Sequence, residues 1–161
     1  MLARMLETDG DWVVTIVLIV LGGVFFAHGA QTAHGWFGGA GLRSTVRIFR
    51  EQLRIPAPLA IIAVAAEFLG GLGLVLGLLS RIAALVIAVV MLVALLTVHW
   101  KFGFFMNWYG DQRGHGIEYH VLVLVLPLVV LIEGGGPTSP AQVLYKHVLT
   151  QDGVTLGAGT E

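Results

Sequence analysis

The chain has 161 residues, of which 57% are hydrophobic and only 12% are charged, and its mean hydropathy is +0.87. This balance excludes an ordinary soluble domain and is typical of a polytopic membrane protein. The net charge of −1 gives no reason to expect a nucleic-acid partner, and the absence of cysteine excludes disulfides, thiol nucleophiles and thiolate-ligated metal sites.

The first apolar run predicts a transmembrane helix over about residues 12–30. It carries no charged residue before His28, which falls near its end. The segment before the run is acidic, which is the wrong flank for a secretory signal, so the helix is expected to be retained. The glycine-rich stretch that follows, residues 31–41, predicts a turn.

An amphipathic helix is predicted over about residues 42–55. Its apolar residues share one helical face, namely Leu42, Val46, Phe49 and Leu53. Its arginines share another, namely Arg43, Arg47, Arg50 and Arg54. Such a helix lies in the headgroup region with its arginines near lipid phosphates, or it packs on the mouth of the helix bundle. Both can hold at the same time.

The second span, about residues 57–79, carries an acid near its middle, Glu67. Small residues recur at spacings of three and four on the same face: Ala63, Gly70, Gly73, Gly77 and Ser80. Stripes of this kind let helix backbones approach closely in lipid. Glu67 is therefore expected to face protein rather than acyl chains.

Two further spans are predicted over about residues 82–99 and 117–133. The turn before the first of them is very short, which makes the second and third spans antiparallel neighbours. The predicted fold is an all-α membrane domain over residues 1–136. It is an antiparallel four-helix transmembrane bundle with the interfacial amphipathic helix between helices 1 and 2. Residues 137–161 are expected to form a C-terminal surface segment and tail.

The distribution of basic residues predicts the orientation of the bundle. Four spans place six of the nine Lys and Arg residues on the side of the loops after helices 1 and 3. The positive-inside rule puts those two loops in the cytoplasm. The expected location is a bacterial-type inner membrane, with the protein crossing it several times.

Each predicted span brings one ionisable group to the loop side: His28, Glu67, His99 and Glu118. Ionisable residues at membrane depth usually face the bundle interior and pair with one another, so these four are expected to form a polar pocket. His120 lies roughly 200° from Glu118 around a helix and is expected to point to a neighbouring surface or to the membrane interface. Secondary positions near the pocket are Tyr119, Asn107 and Trp100.

Glu67 allows two interpretations. It is a candidate proton donor or contact for a polar ligand headgroup, and it is equally a structural carboxyl satisfied by a neighbouring helix. A metal site is not expected, because carboxylate-bridged helical bundles draw their ligands from Glu-x-x-His pairs and the sequence has none.

Several stretches carry a family resemblance: residues 66–85 read AEFLGGLGLVLGLLSRIAAL, 99–108 read HWKFGFFMNW, 116–124 read GIEYHVLVL and 25–31 read FFAHGAQ. Together they resemble the DoxX family over about residues 17–136. The resemblance implies a compact four-helix membrane protein from a family associated with thiosulfate:quinone oxidoreductase and with membrane oxidoreductase complexes of oxidative-stress defence. Two departures are Thr32, near a position where the family usually has lysine, and the C-terminal GGGPTSP.

The resemblance and the polar cluster together lead to the first functional hypothesis. The protein would be a non-catalytic or quinone- or lipid-contacting subunit of a membrane oxidoreductase assembly, with no intrinsic cofactor. Its partners would be membrane lipid, membrane-protein subunits or further copies of itself. The alternatives are a structural subunit of another large membrane complex and a small proton-coupled carrier.

Overall fold

The computed structural model describes residues 12–136 together with Val143 and His147. Within these residues the protein is helical, with α1 at Trp12–His34, α2 at Gly41–Gln52, α3 at Ala57–Val75, α4 at Ser80–Ala94 and α5 at Glu118–Glu133. A 3-10 turn, Trp36–Gly38, precedes α2. A π-helical turn, Leu95–His99, and a 3-10 turn, Trp100–Phe102, extend α4. Apart from Val143 and His147, the predicted C-terminal segment and tail, residues 137–161, lie outside the described residues.

Three helices are long and apolar enough to cross a bilayer: α1, α3, and α4 with its extension to Phe102. Their outer faces carry large apolar side chains that are more than half exposed, including Ile16, Ile19, Leu69, Leu85 and Val89. A soluble monomer rarely exposes apolar surface on this scale, whereas acyl chains cover it without cost. The protein is therefore an integral membrane protein.

The first turn of the predicted loop after helix 1 is helical in the structure. Gln31 to His34 continue α1, because none of these residues breaks a helix. Gly35 ends it with a φ of 76°, a left-handed conformation that glycine adopts without strain. The prediction of a turn from residue 31 was wrong by this one turn. The correction places Thr32 on α1 rather than in a loop.

The backbones of α1 and α3 touch at glycines. A Cβ atom on Gly22 would lie 2.7 Å from the Gly71 carbonyl oxygen and from the Val75 nitrogen. A Cβ on Gly29 would overlap the backbone of Phe68. Contact at this range is possible only without side chains, as in other small-residue helix pairs in lipid. These contacts make α1 and α3 direct neighbours in a defined register.

Of the predicted small-residue stripe, Gly70 and Gly73 face α4, whereas Gly77, with a φ of 66°, lies in the turn after α3 and Ser80 begins α4. A Cβ on Gly70 would lie 3.3 Å from the Ile87 side chain, and one on Gly73 would lie 3.7 Å from the Ala83 Cβ. Glycine residues on two faces of α3 thus serve two different neighbours. The buried core between the helices comprises Val14, Leu18, Leu21, Phe25, Leu74, Ala83, Ala84, Ile87, Met91, Val123 and Val130.

The glycine contacts predict a large difference between two adjacent positions on α1. Gly22→Ala should lower the free energy of unfolding by about 1–3 kcal/mol, because the methyl group must push α1 and α3 apart. Gly23→Ala is the matched control, since a Cβ at Gly23 meets nothing within 4 Å. Thermal unfolding in detergent measures both. Equal midpoints for the two variants would contradict the close contact.

Candidate functional site

Glu67 lies midway along its own helix but level with the ends of two others. It is the eleventh residue of α3, which has 19 residues. Its side chain is half-buried, and its Oε2 accepts a long hydrogen bond of 3.5 Å from Thr32 Oγ1, two residues before the end of α1. Tyr119, the second residue of α5, lies within electrostatic range of Glu67. The carboxyl is therefore at the loop-side end of the bundle, not at its centre.

The hydroxyl of Thr32 has three acceptors for one proton. Besides Glu67, the carbonyl oxygen of His28 lies 3.0 Å away and that of Gly29 lies 3.2 Å away. A hydroxyl can donate once and accept twice. When Thr32 donates to its own helix, its oxygen can accept a hydrogen bond from a protonated Glu67 carboxyl. A hydrogen bond between Thr32 and Glu67 can therefore form whether the Glu67 carboxyl is ionised or protonated.

Thr45 connects the amphipathic helix α2 to this site. It is only 6% exposed, and its Oγ1 donates a 3.2 Å hydrogen bond to the carbonyl oxygen of Thr32. Because Thr32 in turn contacts Glu67, the docking of α2 helps to fix the last turn of α1 beside the carboxyl. The expectation that α2 packs on the mouth of the bundle is thus met on this face of the helix.

A pair of imidazoles lies where α4 and α5 meet. The rings of His99 and His120 stack with centroids 4.0 Å apart. His99 Nδ1 lies 2.9 Å from the carbonyl oxygen of His115, and because a carbonyl only accepts, Nδ1 carries the proton. His120 is 6% exposed, and its Nδ1 has no hydrogen-bond partner among the described residues. The sequence pattern left the neighbour of His120 open, and α5 turns this residue onto α4.

Glu118 binds the loop before α5. Its Oε2 accepts a 3.1 Å hydrogen bond from the Met106 backbone nitrogen. The loop returns two bonds to the start of the helix, from the Ile117 nitrogen to the Gly103 oxygen at 3.0 Å and from the Glu118 nitrogen to the Phe104 oxygen at 2.8 Å. Glu118 therefore anchors the loop as an acceptor at a helix N-terminus, a position that also favours a negative charge.

The three secondary positions, Tyr119, Asn107 and Trp100, lie in different places. Tyr119 is half-buried near Glu67. Asn107 closes a turn of the loop, donating to the Gln112 carbonyl oxygen at 2.8 Å and accepting from the Gln112 nitrogen at 3.2 Å. Trp100 is exposed at the end of the α4 extension. Of the three, Tyr119 is the one that interacts electrostatically with Glu67.

The four residues of the predicted polar cluster share one end of the bundle, but their contacts are separate. Glu67 pairs with Thr32, His99 with His120, and Glu118 with the loop, whereas the side chain of His28 is exposed. No hydrogen bond joins any two of the four in the part of the chain that the structure describes. Sequence reasoning missed Thr32 and Thr45. Threonine is neutral at physiological pH, so a search for ionisable residues at membrane depth does not find it.

The opposite end of the bundle contains a small cavity among the described residues. Its volume is about 90 Å³, and it is lined by Thr15, Leu74 and Gly77 among others. This is far below the volume of about 300–1,000 Å³ that is typical of small-molecule pockets. Among residues 12–136, Val143 and His147, no three histidine or acidic side chains converge to hold a metal ion.

The family model for DoxX matches residues 13–100 of the chain, which is more than half of its length. The chain belongs to the DoxX family. The match covers α1 to α4, including Thr32, Glu67 and His99, and it ends before α5. No curated protein and no solved structure matches the sequence.

The contact between Glu118 and the loop of this DoxX protein can be tested by hydrogen exchange. Glu118→Ala should speed exchange of the Met106 amide by at least about tenfold, because a bond to a charged acceptor is worth about 1.5–3 kcal/mol. Glu118→Gln keeps an acceptor and should show a smaller effect. Asp111→Ala, which removes an exposed carboxylate from the same loop, is the matched control. Equal exchange in the Glu118→Ala and Asp111→Ala variants would refute the anchoring contact.

Proposed function

We propose that this DoxX-family protein is a non-catalytic subunit of a membrane oxidoreductase assembly and that it binds the polar headgroup of a quinone or lipid at Glu67. The observation that carries the proposal is a half-buried carboxyl in a membrane span, with the hydroxyl of Thr32 as its direct partner and Tyr119 nearby. Intramembrane acids are costly, and they usually mark a functional site.

The proposal includes a bundle of four antiparallel spans, α1, α3, α4 and α5. α5 has 16 residues and is about 24 Å long, and Gly134, with a φ of 93°, ends it. Arg81 Nη2, at the start of α4, donates a 3.0 Å hydrogen bond to the Ile132 carbonyl oxygen at the end of α5. This bond supports an antiparallel α4 and α5, with the Arg81 turn and the end of α5 on one side of the membrane.

The same topology gives the proposed orientation. Six of the nine Lys and Arg residues then lie on the side of α2 and the long loop before α5. The positive-inside rule assigns that side to the cytoplasm of a bacterial-type cell. Glu67 would meet its ligand from the cytoplasmic leaflet.

Glu67 has unused hydrogen-bonding capacity for such a ligand. A carboxylate offers about four lone-pair positions, and among the described residues Glu67 accepts one long hydrogen bond, from Thr32. The ionised carboxylate would accept from the hydroxyl of a quinol or a lipid, and the protonated carboxyl would donate to a quinone carbonyl. The chain itself would hold no redox centre, so electrons would pass through a partner subunit.

Aromatic rings beside Glu67 suit a planar ligand. Phe68 stacks on Phe26 and contacts His34, with ring centroids 5.0 Å apart in both pairs. His34 contacts Trp36 at 5.4 Å, and these two outer rings are exposed. A quinone ring approaching Glu67 from this side would meet ring faces of the kind that favour offset stacking.

A structural subunit of another membrane complex is the second candidate. It is favoured by the contacts of His99 with His120 and of Glu118 with Met106, which use polar groups to join elements of the same chain. In that case Glu67 would only tie α3 to α1, and the exposed apolar faces would dock a partner.

Glu67→Gln separates these functions because it keeps the shape of the side chain and removes its charge. We expect about fivefold less quinone or lipid to co-purify, since hydrogen bonds to charged groups exceed neutral ones by about 1 kcal/mol. Mass spectrometry of the extracted ligand measures this loss. Glu133→Gln, at the other end of the bundle, is the control.

The same preparations test assembly. Blue native electrophoresis of mild-detergent extracts should show the protein in a complex, for wild type and for Glu67→Gln alike. Unchanged ligand retention in Glu67→Gln, with the complex intact, would favour the structural subunit. Recovery of the wild type as a lone monomer without bound lipid or quinone would overturn both subunit functions.

A further inference from the structure

We propose that the arginine face of α2 is a binding site for the phosphate groups of anionic phospholipids, separate from the site at Glu67. The face comprises Arg43, Arg47, Arg50 and Arg54, all exposed. Arg43, Arg47 and Arg50 lie on α2 at spacings of four and three residues, which places them within about 60° of one another around the helix, and Arg54 follows the end of the helix. The three arginines on the helix form a stripe about 10 Å long.

The rotation of α2 is fixed by its opposite face. Thr45 lies about 170° from the centre of the arginine stripe by helical advance. It is buried and donates a hydrogen bond to the Thr32 carbonyl oxygen at 3.2 Å. Turning the arginines towards the bundle would break this bond and bury unpaired charges. The stripe must therefore face the surroundings of the protein.

The remaining face of α2 supplies an apolar edge. Val46, Phe49 and Leu53 are half-buried, and Leu42 is exposed. The helix thus presents protein contacts on one side, an apolar edge beside the acyl chains, and cations outward. This is the arrangement of a helix that lies in the plane of the membrane interface. Arginine in the hydrocarbon is strongly unfavourable, so the outward stripe must sit at the headgroups.

The charge of α2 fits an anionic rather than a zwitterionic surface. Glu51 is the one acidic residue between Gly41 and Gln52. Guanidinium groups bind phosphate oxygens through paired N–H donors. Cytoplasmic leaflets that contain anionic lipid attract such basic stretches, at about fivefold in affinity for each Lys or Arg near the surface, which corresponds to about 1 kcal/mol.

Two residues that flank α2 have strained backbone conformations, and their side chains are of the kind found at a membrane interface. Phe37, which is 74% exposed, has a φ of 53°, and Arg54 has a φ of 58°. Glycine would adopt both conformations without strain. An exposed aromatic ring before α2 and an arginine after it are what a helix at the headgroup level uses as anchors. The fold thus tolerates strain at both ends of α2 in residues that suit a lipid interface.

Native mass spectrometry of protein released from mixed micelles tests the proposal, with phosphatidylglycerol as the anionic probe and phosphatidylcholine as the zwitterionic one. The wild type should retain phosphatidylglycerol preferentially. Arg47→Gln/Arg50→Gln should reduce that preference by roughly 25-fold, at about fivefold per arginine. Lys101→Gln/Arg113→Gln removes two charges from the same side of the protein but not from α2, and it should leave the preference unchanged.

Three outcomes would overturn the proposal. One is an equal effect of the two double variants. Another is complete displacement of phosphatidylglycerol by inorganic phosphate at the same ionic strength, which would indicate a site for free phosphate. The third is an unchanged lipid preference together with loss of co-purifying subunits in the α2 variant, which would indicate an acidic protein partner instead.

Arg54→Gly distinguishes lipid binding from a general loss of stability. Relief of backbone strain should raise the midpoint of thermal unfolding in phosphatidylcholine micelles, while retention of phosphatidylglycerol should fall about fivefold. Unchanged retention would contradict the proposal.

If the double variant does not fold, salt titration of the wild type gives the same answer. The number of bound phosphatidylglycerol molecules should fall as ionic strength rises, and independence of salt would contradict the proposal. Glu67→Gln should keep the preference for phosphatidylglycerol, so failure of the site at Glu67 and failure of the site on α2 are distinguishable.

Discussion

The backbone contact between α1 and α3 is the constraint on which the rest of the structure depends. With glycine at Gly22, Gly29 and Gly71, the two helices approach until backbone atoms touch, and only one register lets all three positions meet. In a bilayer the hydrophobic effect does not hold helices together, so close packing of this kind must supply much of the association energy. The register is also what brings Thr32 opposite Glu67.

The register of α1 against α3 determines how deep Glu67 lies in the bundle. Judged along α3 alone, Glu67 lies near the centre of the membrane. Because α1 ends two residues after Thr32 and α5 begins just before Tyr119, the carboxyl instead lies at the mouth of the bundle. Its neighbours are hydroxyl groups rather than the imidazoles of His28 or His99. A group at this depth can exchange hydrogen bonds with a headgroup without carrying a charge through the hydrocarbon.

The amphipathic helix α2 connects the membrane surface to this mouth. Its buried Thr45 bonds to the Thr32 carbonyl oxygen, and the hydroxyl of Thr32 reaches Glu67. Thr32 therefore links α2 to Glu67, with its backbone carbonyl bonded to α2 and its hydroxyl bonded to the carboxyl. The loop before α5 closes the other side of the mouth, where Glu118 holds the Met106 nitrogen. Polar groups at this end are used mainly to fasten short elements onto the long helices.

The sequence by itself determined the class of protein and the long apolar helices, because the length of an apolar run is a local property of the chain. It also determined the amphipathic helix with its arginine stripe and the DoxX family, because helical periodicity and motif content are local as well. Only the tertiary structure decided which polar groups meet. Glu67 and Thr32 are 35 residues apart, and their contact depends on the offset between two helices, which no local pattern encodes. The neighbour of His120 was open for the same reason: its position relative to Glu118 follows from the helical repeat, but the direction in which α5 faces is set by its packing against α4.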